Sequence, residues 1–127
     1  MKTLILLIAS MLFALGAHAA AFEKTAKSRT ARVHIVSEKP LHVGTNTFVF
    51  DVKVKNNVPK DAAVAVRLFM PAMPGMPAMK SEAPAKSLGN GRYEATVNAA
   101  MGGTWQMHIY ITPKTGKKIR VKTSLNI

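Results

Sequence analysis

The sequence predicts an all-β chain, an immunoglobulin-like antiparallel β-sandwich of six to seven strands. Three observations carry that expectation. Apolar and polar residues alternate with period two in several separate segments, the mark of strands with one face buried. Gly, Asn and Pro gather between those segments, where tight turns need a positive or a fixed φ. No segment beyond the N-terminal apolar run shows a helical period, so two sheets packed face to face are the natural way to bury the apolar faces.

The elements follow in chain order. Lys2, the apolar run Leu4 to Leu15 and the small-x-small triplet Ala17-His18-Ala19 read as a signal peptide over residues 1–19. The run is short of the ~20 residues that span a bilayer, so membrane association would come only through an uncleaved N-terminus. Residues 20–30 are rich in Lys, Thr, Ala and Ser without apolar period and are expected to form a flexible leader. A sandwich domain is then expected over 31–127. Its strands are signalled by Val33 and Ile35, by Phe48, Phe50, Val52 and Val54, and by Val64, Val66 and Leu68. Tyr93, Ala95 and Val97 give a fourth, Trp105, Met107, Ile109 and Ile111 a fifth, and Ile119, Val121, Thr123 and Leu125 a sixth. Residues 70–87 show no strand pattern and are expected to form a long loop, which in a compact domain is commonly functional.

Composition narrows the function. The chain of 127 residues is one domain, with no cysteine and a formal net charge of +12. Without cysteine there are no disulfides, no thiolate zinc or blue-copper site and no redox CxxC. Such a charge in a cytoplasmic protein would suggest nucleic acid. Export to the periplasm argues against nucleic acid and for an acidic envelope partner or an anionic surface. The six acidic residues are scattered, and no GxSxG, HExxH or phosphate-loop pattern occurs, so the chain is not expected to be an enzyme.

The distinctive segment is Met70-Pro71-Ala72-Met73-Pro74-Gly75-Met76-Pro77-Ala78-Met79, with methionine at every third position. Proline after each of the first three favours a polyproline-II path with three residues per turn, which would project the thioethers from one side at intervals of about 9 Å. Gly75 offers a bend that lets neighbouring sulfurs converge. Thioether sulfur is a soft, neutral donor that selects Cu(I) or Ag(I) over hard cations and has no proton to lose. The competing reading is hydrophobic packing or contact with a partner. Met70 is in phase with Val64, Val66 and Leu68 and serves equally as core. Met73, Met76 and Met79 lie in a proline-rich stretch unsuited to a central strand.

Other candidates are weaker. Met101 precedes Gly102 and Gly103 and is either a further ligand or a turn residue. Trp105 is in the inward phase, as core or as a ring against a bound cation, and Met107 is core. His34 and His108 fall on outward phases. His42 lies in a turn, exposed or as an auxiliary ligand. Lys117, Lys118, Arg120 and Lys122 form a basic stripe, either a solvated edge or a docking face for an acidic partner.

Over residues 33–127 the chain resembles the YtkA-like family, related to the FixH-like proteins. The resemblance rests on Val43-Gly44-Thr45-Asn46-Thr47-Phe48, the Met-Pro-x-Met cluster from Met70, Gly91-Arg92-Tyr93-Glu94-Ala95 and Met101-Gly102-Gly103-Thr104-Trp105. It implies an immunoglobulin-like sandwich that handles copper or heavy metal in the envelope, with Met70, Met73, Met76 and Met101 as ligands. The even spacing of three and the additional Met79 depart from the usual pattern. The expected function is a periplasmic Cu(I)/Ag(I) buffer or chaperone that hands metal to an efflux or oxidase-assembly component. The alternative is a module without metal that docks an envelope partner or anionic surface through its methionine loop and basic face.

Overall fold

The computed structural model describes residues 21–59 and 61–127. The expected signal peptide, residues 1–19, lies outside the described residues. Eight strands and no helix occur among those described: β1 (Phe22–Lys27), β2 (Ala31–Ser37), β3 (Gly44–Val54), β4 (Ala63–Met70), β5 (Met79–Gly89), β6 (Arg92–Ala99), β7 (Thr104–Thr112) and β8 (Ile119–Asn126). They form one antiparallel sheet in the order β1-β2-β3-β6-β5-β4-β7-β8. The sheet curls until its outer strands meet, and Lys24 Nζ on β1 donates to the Ser124 carbonyl on β8 at 2.7 Å.

The all-β antiparallel expectation holds, but the six-to-seven-strand sandwich is corrected to an eight-stranded, nearly closed, barrel-like sheet. Two strands account for the difference. β1 lies in the stretch expected to be a flexible leader. Only Ala26 of its residues is fully buried and Lys24 falls on the same phase as Phe22 and Ala26, so its alternation is faint, yet it pairs with β2 along its whole length. β5 occupies most of the expected loop. It buries no residue fully: after Met79 its inward positions are Ser81, Ala83 and Ala85, small side chains that give little apolar signal. β5 also makes the corner that joins the sheet: Met79–Ala85 pair with β4, and Lys86, Ser87 and Gly89 pair with β6 across a bulge. Pro84 sits in the half paired with β4 alone, the edge-like setting proline needs.

The core is built from the inward phases. Phe48, Phe50, Ile35, Leu68, Trp105, Met107, Ile109 and Ile111 are almost wholly enclosed. Each such side chain contributes roughly 1.5–3 kcal/mol of hydrophobic stabilisation. Without disulfides, that packing carries the fold.

Strand direction sorts the connections between two ends. The β2–β3, β4–β5 and β6–β7 connections and the C-terminal Ile127 share one end. The β1–β2, β3–β4, β5–β6 and β7–β8 connections share the other.

Candidate metal centre

The methionine segment is a hairpin rather than an extended polyproline path. Pro74 and Gly75 occupy its two turn positions, the Pro-then-Gly order of a type II turn, and Gly75 has φ +80°. Met73 N–H donates to the Met76 carbonyl at 2.9 Å, and Met76 N–H donates back to the Met73 carbonyl at 2.8 Å. The Met73↔Met76 bridge at the turn keeps the register of Met70↔Met79 in the strands. Continued regularly, it would set Pro71 against Ala78 in a hydrogen-bonded pair that Pro71, lacking N–H, cannot complete. The ladder therefore lapses there and resumes at the turn.

This geometry changes how the sulfurs are brought together. Residues in a hydrogen-bonded antiparallel pair lie about 5.5 Å apart at Cα and project to the same face. Met73 and Met76 thus leave the hairpin as neighbours, where the polyproline reading set successive thioethers about 9 Å apart. Met73 is 46% exposed and Met76 half-buried. Met70 and Met79 face each other three residues further in, so strand alternation sets them on the opposite, inward face of the hairpin. Met70 is 2% exposed and belongs to the core, whereas Met79 is half-buried against it.

The β6–β7 connection supplies the fifth methionine. A Cβ built on Gly103 would lie 3.1 Å from Met70 Cε, so the glycine admits the end of the Met70 side chain. Met101 is half-buried two residues earlier. Its carbonyl accepts the Trp105 indole N–H at 2.9 Å. Trp105 is 1% exposed, so it acts here as core and as the anchor of the Met101 turn, with no face open to an ion. Gly103 and Ile127 exchange two backbone hydrogen bonds of 2.7 and 2.9 Å, which tie the turn to the C-terminus.

His42 lies at the same end, exposed in the β2–β3 connection. Its Nδ1 is 3.1 Å from the Pro40 carbonyl, which can only accept, so Nδ1 is the donor there and Nε2 is the ring nitrogen left for another partner. Asn46, buried at the start of β3, holds this connection. Its Oδ1 accepts His42 N–H at 3.0 Å, and its Nδ2 donates to the His42 and Gly44 carbonyls at 2.8 and 3.1 Å. The sequence marked Asn46 only as part of the Val43–Phe48 motif and its turn, and nothing marked Gly103 as the seat of Met70.

The other two histidines among the described residues lie on outward strand faces. His34 Nε2 is 2.7 Å from Glu23 on β1. His108 neighbours Tyr110, and partial burial, then Arg120, Lys122 and Arg67, hold its pKa below the ordinary value. Among the described residues no three His, Asp or Glu side chains gather as a metal site would require. The donors at the hairpin end are therefore mainly thioether sulfur, a set suited to a soft monovalent ion and poorly suited to Zn²⁺, Mg²⁺ or Ca²⁺.

A family model described as YtkA-like matches residues 25–110, well over half of the chain. The match begins within β1, takes in the whole methionine hairpin and ends in β7, starting earlier and stopping sooner than the span over which the sequence motifs suggested the resemblance. No curated protein sequence matches the chain. Among solved structures, the PmoD soluble domain from Methylocystis sp. ATCC 49242 (Rockwell) is similar in fold, with a TM-score of 0.52 and 14% identity over 80% of this chain and 95% of that one.

Proposed function

Because the chain belongs to the YtkA-like family, we propose that it is a periplasmic binding protein, without catalytic activity, whose cargo is Cu(I) or its surrogate Ag(I). One observation carries the reading: Met73 and Met76 face each other across a Pro-Gly turn, locked by two reciprocal hydrogen bonds. A pair of neighbouring, accessible, neutral sulfurs is a soft-donor site that needs no deprotonation. Met79, on the inward face of the hairpin, and Met101 lie at the same end of the barrel, as does His42 with one further nitrogen. Met70 would join only by leaving the core, so its first role is to seat the hairpin against Gly103. Sites made of few thioethers release metal by ligand exchange, which suits buffering or handover to an acidic efflux or oxidase-assembly component. The export-type N-terminus and the absence of cysteine fit an oxidising compartment.

The test is competitive titration of the mature protein with Cu(I) under reducing conditions. Wild type should bind roughly one Cu(I) per chain with little affinity for Zn(II). Met73→Leu with Met76→Leu should remove most of that affinity while the fold persists, because a Leu-for-Met exchange conserves volume. Unchanged Cu(I) affinity in the double variant would refute the reading.

A second reading has its own support. Val43, 55% exposed, stands at the same end as the 46%-exposed Met73, and together they give an apolar tip that could meet a partner without metal. Partner capture lost in the same variant, with metal affinity intact, would favour it.

A further inference from the structure

The opposite end of the barrel carries a different chemistry. Lys27, Arg32 and Lys53 are direct cross-strand partners: Lys27 pairs with Arg32, and Arg32 pairs with Lys53. All three are exposed on the outer face. Their Cβ atoms therefore stand about 4.5–5.5 Å apart along one row, an arrangement of like charges that destabilises a sheet unless something compensates it. Among the described residues none of the three is within ion-pair distance of a carboxylate. Asp51, on the same face of β3, is opposite His34 and Arg92 rather than in the row.

Two more cations frame the row. Arg29 lies in the β1–β2 turn, and Lys55 follows β3 with φ +53°. Lys55 N–H donates to the Thr30 carbonyl at 2.7 Å, so the backbone fastens these two connections together. The five cations line one hollow of about 210 Å³, with Ser28, Thr30 and Asn56 among its polar walls.

We propose that this hollow binds a compact, multiply charged oxyanion of the phosphate type. A single phosphoryl group can bridge the row, Arg32 offering a planar fork of donors and the lysines point charges. Free phosphate or diphosphate and a phosphomonoester lipid headgroup share this chemistry. The site lies far from the methionine hairpin and does not depend on metal binding.

The experiment uses the mature protein at low ionic strength. Inorganic pyrophosphate is titrated calorimetrically, and sedimentation with phosphatidylcholine vesicles is compared with and without phosphatidic acid. Arg32→Gln and Lys53→Gln should each weaken binding roughly tenfold or more. Lys117→Gln with Lys118→Gln, which removes two charges at the same end but outside the hollow, should change it less than about twofold. Arg32→Gln should also leave the unliganded unfolding midpoint unchanged or raised, since it relieves the row, which separates a lost site from a lost fold. Arg32-dependent binding of pyrophosphate assigns a free anion, and Arg32-dependent binding of phosphatidic acid vesicles alone assigns the lipid. Absence of saturable binding to either probe, or equal weakening by the Lys117/Lys118 variant, overturns the proposal.

Discussion

Replacing Gly103 with Ala tests whether the methionine hairpin and the Met101 turn are one structure. Two effects oppose the added methyl. Gly103 has φ +136°, a region L side chains rarely adopt, and occupying such a region costs roughly 1–3 kcal/mol. The new Cβ would also stand 3.1 Å from Met70 Cε, a contact that forces the methionine to shift. Overpacking typically costs ~1–3 kcal/mol, and the flexible end of Met places this case near 1. Gly116 separates the terms, because it has φ +111° with nothing within 4 Å. For a domain of this size each kcal/mol moves the unfolding midpoint by about 4–8 °C. Gly116→Ala should then lower the midpoint by roughly 5–15 °C, and Gly103→Ala by about 5 °C more. Met70→Leu removes Cε at a cost below ~1.5 kcal/mol. In that background the additional loss from Gly103→Ala should vanish. Thermal unfolding of the four proteins of this cycle, with Gly116→Ala as reference, reads the coupling. If Gly103→Ala costs the same in both backgrounds, Met70 does not rest on Gly103 and the hairpin is not seated on the Met101 turn.

Three other outcomes are expected. Trp105→Phe should accelerate amide exchange through residues 100–103 and cost about 1–3 kcal/mol, because the Met101 carbonyl loses its donor, and calorimetry with hydrogen exchange checks both. Gly75→Ala should strain the turn at φ +80° by roughly 1–3 kcal/mol and weaken Cu(I) binding with both thioethers still present, as measured by competition titration. Burial and neighbouring cations hold His108 below its ordinary pKa, so the unfolded chain takes up a proton first as pH falls below about 6.5. Stability should decline there and level off once the folded ring protonates, and His108→Gln should lose less between about pH 7.5 and 5.5 in thermal unfolding.

The strands visible in the sequence are those whose inward positions are large and branched or aromatic, such as Phe48-Phe50-Val52 and Trp105-Met107-Ile109-Ile111. β1 and β5 escaped because their inward phases, Phe22-Lys24-Ala26 and Met79-Ser81-Ala83-Ala85, are mostly small or interrupted by a charge, so their pairing comes from the backbone and from neighbouring strands. Missing them turned a barrel-like sheet into a smaller sandwich. The methionine segment was legible in composition, and its bend in Gly75, but not its shape. Three-residue spacing suggested a polyproline spiral, whereas turn chemistry at Pro74-Gly75 and strand pairing on both sides produced a hairpin. The roles of Gly103 and Asn46 depend on contacts between distant segments, which no local pattern records.

The central claim is that Met73 and Met76 together hold a soft ion. Methyl NMR of the mature protein, with methionine methyls labelled and Ag(I) added stepwise, reports each sulfur separately. The methyls of Met73 and Met76 should shift first and saturate near roughly one equivalent, those of Met79 and Met101 should follow in part, and that of the enclosed Met107 should stay fixed. Methyls of Met73 and Met76 that remain still while Ag(I) binds elsewhere, or that move no more than Met107, would contradict it.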